Sequence, residues 1–212
     1  MIKRYIPDIT DYVAEAEGVD PASPLYNDLL RILGDVDKAT RSWKMTRTGC
    51  FIDWFGDWLN GDDCGIVRYS NGEPRILYHE KGRGLDITPE GILIKGMSPD
   101  KEVGLYLTSD KDYAHGFSDE PIAVFTNIKN PFVYKQEVWT EEMGERNPYH
   151  ISMTEENVRD ITSRGFDSVR STSEQGNMKE KYPVEFAVFD LGDVKHVLNH
   201  GCFDEDSPDL FA

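Results

Sequence analysis

Between residues 76 and 190 the chain repeats one pattern: a short apolar run, then residues that turn the backbone. The runs fall at 76–79, 105–108, 122–128, 132–134, 168–170 and 184–190. Short apolar runs bounded by turn residues read as strands. Residues 91–96 fit either a strand or a short helix. Two helices interleave with these runs. One is started by Ser109 or Asp110 and carries on to Phe117. The other runs from Thr154 to Arg164, with Thr154 as cap, Glu155 and Glu156 in its first turn, and Gly165 as its stop. Strands and helices mixed in this order predict an α+β fold.

Residues 1–46 read instead as a helical extension. Thr10 can cap a short helix that Gly18 ends. Ser23–Pro24 is a stronger start, an N-cap serine followed by proline at the first helical position. Leu25, Leu29, Ile32, Leu33 and Val36 then recur at helical spacing and predict one apolar face. Phe51, Trp54, Phe55 and Trp58 are three and four apart, as on one helix face, and predict a core anchor. Asn71–Gly72 between two apolar runs predicts a hairpin turn. The acidic segment 201–212 is expected to be a mobile tail. The boundaries that follow are 1–46, 47–200 and 201–212.

The formal net charge of −16, from 39 acidic and 23 basic side chains, opposes binding to nucleic acid or to anionic membranes. Cys50, Cys64 and Cys202 match no metal or redox spacing, and reduced thiols in a cytoplasmic setting are expected. His196 and His200 can share a helix face, but with no third ligand no metal site is expected. The acidic residues among 1–18 argue against a signal peptide, and no apolar run approaches the ~20 residues of a membrane span.

Three residues combine into a chemical hypothesis. Glu185 opens the apolar run Phe186–Ala187–Val188–Phe189, where an acid is costly unless paired, solvated or employed. His79 ends the run Ile76–Leu77–Tyr78, and Tyr106 is central in Gly104–Leu105–Tyr106–Leu107–Thr108. Singly, each has a plainer reading: a satisfied strand-end histidine, a core tyrosine, a strand-start acid.

Together, His79, Tyr106 and Glu185 in this order resemble the His-Tyr-Glu pocket of ADP-ribosyltransferases of the diphtheria-toxin and poly(ADP-ribose) polymerase type. The block at 92–130 and the closing Glu185–Phe186–Ala187–Val188–Phe189–Asp190 also resemble that family. Trp54–Phe55–Gly56–Asp57, Asn71–Gly72–Glu73–Pro74 and Tyr78–His79 look like a related domain of bacteriophage and mobile-element proteins. The resemblance covers residues 51–198. It implies a split, strongly twisted β-core around a cleft for NAD as co-substrate, and mono-ADP-ribosyl transfer to a protein with release of nicotinamide. A catalytically inactive interaction module and an NAD glycohydrolase are the alternatives.

The resemblance also implies roles. Glu185 would stabilise the oxocarbenium-like ribose and orient the acceptor. His79 would hold the adenosine-side ribose. Tyr106 would stack on the nicotinamide, with Phe117 or Tyr113 closing its other face. The family carries glycine and a small hydroxyl residue directly after the histidine, where Glu80 and Lys81 stand here; Glu80 is therefore counted with the NAD-contacting positions. Arginine-directed relatives carry an acid two residues before the glutamate. Pro183 stands there, so arginine is not the expected acceptor.

Overall fold

A computed structural model describes residues 18–61, 64–79, 85–87, 93–95, 104–115, 121–134, 154–171 and 184–212. The fold is α+β, and the chain divides into two compact units: residues 1–76, 123–129 and 192–212, and residues 77–122 and 130–191.

In the first unit, helix α1 spans Pro24–Leu33. Its start is the one expected: Ser23 is the N-cap, its hydroxyl accepting from the Tyr26 N–H at 3.0 Å, and Pro24 follows. Its end is not. Gly34 adopts a left-handed conformation, φ 60°, and terminates the helix. Asp35 caps a second helix, α2, over Val36–Met45. The apolar series therefore breaks: Leu25 and Leu29 are fully buried, while Val36 is 63% exposed. A left-handed glycine followed by a capping aspartate outweighs an apolar spacing that runs on through both.

Helix α3 spans Gly49–Phe55 and is capped by Thr48. Phe51 packs on Phe55, Phe125 and Phe203 with ring centroids 5.0–5.4 Å apart. Trp54 donates to the Gly192 carbonyl at 3.1 Å. Trp58 lies beyond the helix but is also buried, donating to the Thr46 carbonyl at 2.8 Å. The Asn71–Gly72 turn forms as expected. Gly72 sits at φ 92°, the Tyr69 N–H donates to the Glu73 carbonyl, and Arg68 pairs with Pro74.

Strand β5, Ile122–Thr126, pairs antiparallel with β9, Val194–His196. His196 therefore lies on a strand, not on a helix shared with His200; the two rings instead pack on Phe211, at 4.8 and 5.5 Å. Phe211 belongs to the segment expected to be a mobile tail, and that expectation fails. Phe203 and Leu210 are buried, and the His196 N–H donates to the Leu210 carbonyl. Lys195, fully buried, donates to the carbonyls of Ser207 and Asp209 at 2.9 and 3.0 Å. Glu205 and Asp206 are exposed, while the backbone of the segment supplies the oxygens a buried ammonium requires.

The second unit carries strands in the order β6–β7–β8–β4–β1: Pro131–Tyr134, Ser168–Ser171, Glu185–Val188, Leu105–Thr108 and Leu77–His79. β6 and β7 are parallel, and the other neighbours are antiparallel. β2, Leu85–Ile87, and β3, Leu93–Lys95, form a separate antiparallel pair, so the described part of the ambiguous segment is a strand. Helix α4 spans Lys111–His115, and α5 spans Glu155–Ser163 with the Thr154 cap foreseen. Gly165, at φ 87°, follows α5. Ile161 of α5 seals an apolar cluster with Tyr106, Phe132, Val169 and Ala187. No helix among the described residues is long and apolar enough to cross a membrane.

Candidate functional site

The three residues singled out from sequence fall on three neighbouring strands of the second unit: His79 on β1, Tyr106 on β4, Glu185 on β8. The register fixes their relation. Tyr78 stands opposite Thr108, which stands opposite Glu185, so these three form one row across the sheet. His79, Leu107 and Phe186 form the next row, and Tyr106 and Ala187 the one after. With strands ~4.8 Å apart and ~3.4 Å per residue, the Cα atoms of His79 and Glu185 are separated by about 10 Å.

Alternation assigns faces. Tyr78, Tyr106, Thr108, Glu185 and Ala187 belong to one face. His79, Leu107 and Phe186 belong to the other. Side-chain contacts agree. Tyr106 packs with Ala187, Val169 and Phe132 under α5, and Arg170, opposite Phe186, has its guanidinium carbon 5.9 Å from that ring.

Glu185 is held by its backbone. Its N–H donates to the Ser171 hydroxyl at 3.2 Å, and the Val184 carbonyl accepts from the Ser109 N–H at 3.2 Å. The residue is half-buried at the head of β8, beside buried Thr108 and Tyr78. This is the setting the sequence suggested: an acid entering an apolar strand. The contribution of Ser171 and Thr108 was not visible from sequence, since both reach Glu185 only through strand register.

His79 is 1% exposed, and its Nδ1 lies 3.0 Å from the Tyr106 carbonyl oxygen. A carbonyl only accepts, so Nδ1 carries the proton of this bond. Tyr106 is 7% exposed, its ring set in the apolar cluster beneath α5. Tyr113 is half-buried on α4, its N–H donating to Asp110 Oδ1 at 3.1 Å. Glu80, Lys81 and Phe117 lie outside the described residues.

A second polar constellation, in the first unit, escaped the sequence reading. Glu73 is 4% exposed. It accepts from the Ser23 hydroxyl at 2.7 and 2.8 Å, the Leu25 N–H at 3.3 Å, Trp43 Nε1 at 3.2 Å, Asn71 Nδ2 at 3.0 Å and Arg47 at 2.5 Å. The Arg47 guanidinium lies over Trp43 and Trp58, 3.4 and 4.9 Å from the ring centroids. Burial alone would raise the Glu73 pKa. The hydrogen bonds from Asn71, Ser23 and Arg47, with the charge of Arg47, reverse that and hold it below the usual carboxylate value. Burial lowers the Arg47 pKa against the opposing hydrogen bond and charge of Glu73. Every oxygen of the carboxylate is engaged, which makes this a clamp joining α1, α2 and the 69–73 turn. Among the described residues no group of three or more His, Cys, Asp or Glu side chains is arranged to hold a metal.

No family model, no curated protein and no solved structure matches this chain.

Proposed function

We propose that the chain is an NAD-dependent mono-ADP-ribosyltransferase of the His-Tyr-Glu type that modifies a protein and releases nicotinamide. The observation that carries the reading is the order β1–β4–β8, which sets His79, Tyr106 and Glu185 on neighbouring strands within two residues of one level. Residues 106 and 185 are remote in sequence and share one face of the sheet. Glu185 would stabilise positive charge developing at the ribose carbon as the glycosidic bond breaks, more strongly than it stabilises the ground state. His79, with Nδ1–H committed to the Tyr106 carbonyl, would accept a hydroxyl hydrogen bond at Nε2 from the adenosine-side ribose.

The enclosure of the Tyr106 ring favours a second reading, an inactive domain of the same fold used for interaction, because a ring given to the core offers little face to a ligand. Incubation of the protein with NAD distinguishes the two. Release of nicotinamide, with ADP-ribose retained on an added protein acceptor, supports transfer. Release without retention means hydrolysis. No release above the rate of a Glu185→Gln control leaves the interaction module.

A further inference from the structure

Arg170 lies on β7, on the face of the strand opposite Val169. Its neighbour Val169 points into the core cluster, and Arg170 belongs to the face that also carries Phe186, Leu107 and His79. The residue is partly buried, and its Nε is fully buried without a hydrogen-bond partner. None of the ion pairs among the described residues includes it; its one contact of this kind is with the Phe186 ring, 5.9 Å from the guanidinium carbon. A buried donor left unsatisfied costs roughly 1–3 kcal/mol. Native structures keep such groups for a reason, and a missing acceptor is a common one. Arg47, by contrast, has its glutamate, its backbone carbonyl and its aromatic rings.

We infer that Arg170 is an oxyanion-binding residue that receives a phosphoryl group on the His79 face of the sheet. The guanidinium fork is suited to a tetrahedral or planar oxyanion, which it grips with two parallel N–H donors. The Phe186 ring shields one side of the cation and raises the strength of the contact by excluding water. The identity of the anion rests on the transfer reading above. Arg170 and His79 are three strands apart, about 14 Å between Cα atoms, with Phe186 and Leu107 between them in the same row and Glu185 one row away on the opposite face. A dinucleotide whose adenosine-side ribose meets His79 would bring its diphosphate toward Arg170.

The test uses the full chain, with inorganic pyrophosphate and ADP-ribose as probes in calorimetry, and NAD in a nicotinamide-release assay. Wild type is expected to bind both probes, more weakly as salt is added. Arg170→Gln should weaken both at least about tenfold, and Arg170→Lys, which keeps the charge but not the fork, should fall between. In the NAD assay Arg170→Gln should raise KM more than it lowers kcat. Thermal unfolding of each variant establishes that it is folded, and Arg170→Lys carries the comparison should the glutamine variant not fold. Equal probe binding by wild type and a folded variant, or no probe binding by wild type, overturns the inference. So does citrate binding as tightly as pyrophosphate, which would assign the site to carboxylates. Arg170-dependent pyrophosphate binding in a protein that releases no nicotinamide would sustain the oxyanion site and sink the transfer reading. Nicotinamide release with KM unchanged in Arg170→Gln would do the reverse.

Discussion

The ring of His79 reaches across from β1 to the backbone of Tyr106 on β4, Nδ1 to carbonyl oxygen, at 3.0 Å. The contact joins two of the residues singled out from sequence without using the tyrosine side chain. It also places a proton on Nδ1. Long-range nitrogen–proton NMR should find His79 with its proton on Nδ1 and Nε2 as acceptor. A ring protonated on Nε2 alone would break this bond and remove the acceptor that the proposed ribose contact needs.

Glu185→Gln should abolish nicotinamide release and leave the fold intact. The backbone of Glu185 is held by Ser171 and by strand pairing, none of which requires the carboxylate. Loss of the charge should cost roughly 3 kcal/mol of transition-state stabilisation, about a hundredfold in rate. Turnover at the wild-type rate in a folded variant would remove Glu185 from the mechanism.

Tyr106 separates core from catalysis. Tyr106→Ala should destabilise the protein by about 3–5 kcal/mol, read from urea unfolding, because it opens a cavity beneath Ile161 of α5. Tyr106→Phe keeps the ring, and its unfolding free energy should change far less. An alanine variant of wild-type stability would show that the ring is not the core element its burial implies.

The Glu73 clamp gives a sharper expectation for stability. Arg47→Ala should cost about 3–5 kcal/mol, since it leaves a buried carboxylate without its cation. The native pKa of Glu73 is lowered, so its stabilisation is present above the ordinary carboxylate value of 4.5 and is lost as pH falls below it. Denaturation midpoints of wild type should drop in that window, and those of Glu73→Gln should drop less. Equal acid sensitivity of the two would assign the loss to other carboxylates.

Local signals in this chain were legible because their physics is local. Ser23–Pro24, Thr154 and Gly165 each act within one helical turn, and the structure places all three as read. The strand at 105–108 was visible because four consecutive residues are buried, which leaves an unbroken apolar run. What was not legible depends on distance in sequence. Glu73 looks like an ordinary turn acid until Ser23 and Arg47, 50 and 26 residues away, are brought to it. The acidic end of the chain read as mobile because part of its anchor is backbone: Lys195 grips carbonyls, which any residue supplies, and Phe203, Leu210 and Phe211 are too scattered among acids to make an apolar run. The candidate site was half legible. Residue types and order pointed to Glu185 and His79, but the partition of His79 and Tyr106 onto opposite faces is a matter of register, which no run of residues declares.

His196 carries the last expectation, and its sign follows from burial. Its pKa is lowered from 6.5 to about 4, because burial disfavours the charged ring. The geometry agrees: Nδ1 accepts the Leu198 N–H at 3.0 Å, which requires an unprotonated nitrogen, and the ring lies 4.8 Å from Phe211. Between pH 6.5 and 4 the unfolded chain therefore binds a proton that the folded chain does not. Stability rises with pH across this window and is lost as pH falls through it, by up to about 3 kcal/mol in all. This interval lies above the one set by Glu73, so the two can be told apart. Urea unfolding at pH 7, 6, 5 and 4 should show the slope, and His196→Gln, which cannot titrate, should flatten it above pH 4.5 while leaving the steeper loss below. The C-terminal segment is packed on this ring through Phe211, so cleavage by a carboxypeptidase should quicken over the same interval in wild type and not in the variant. A wild-type profile flat from pH 7 to 5 would show that His196 takes up its proton without cost in the folded protein.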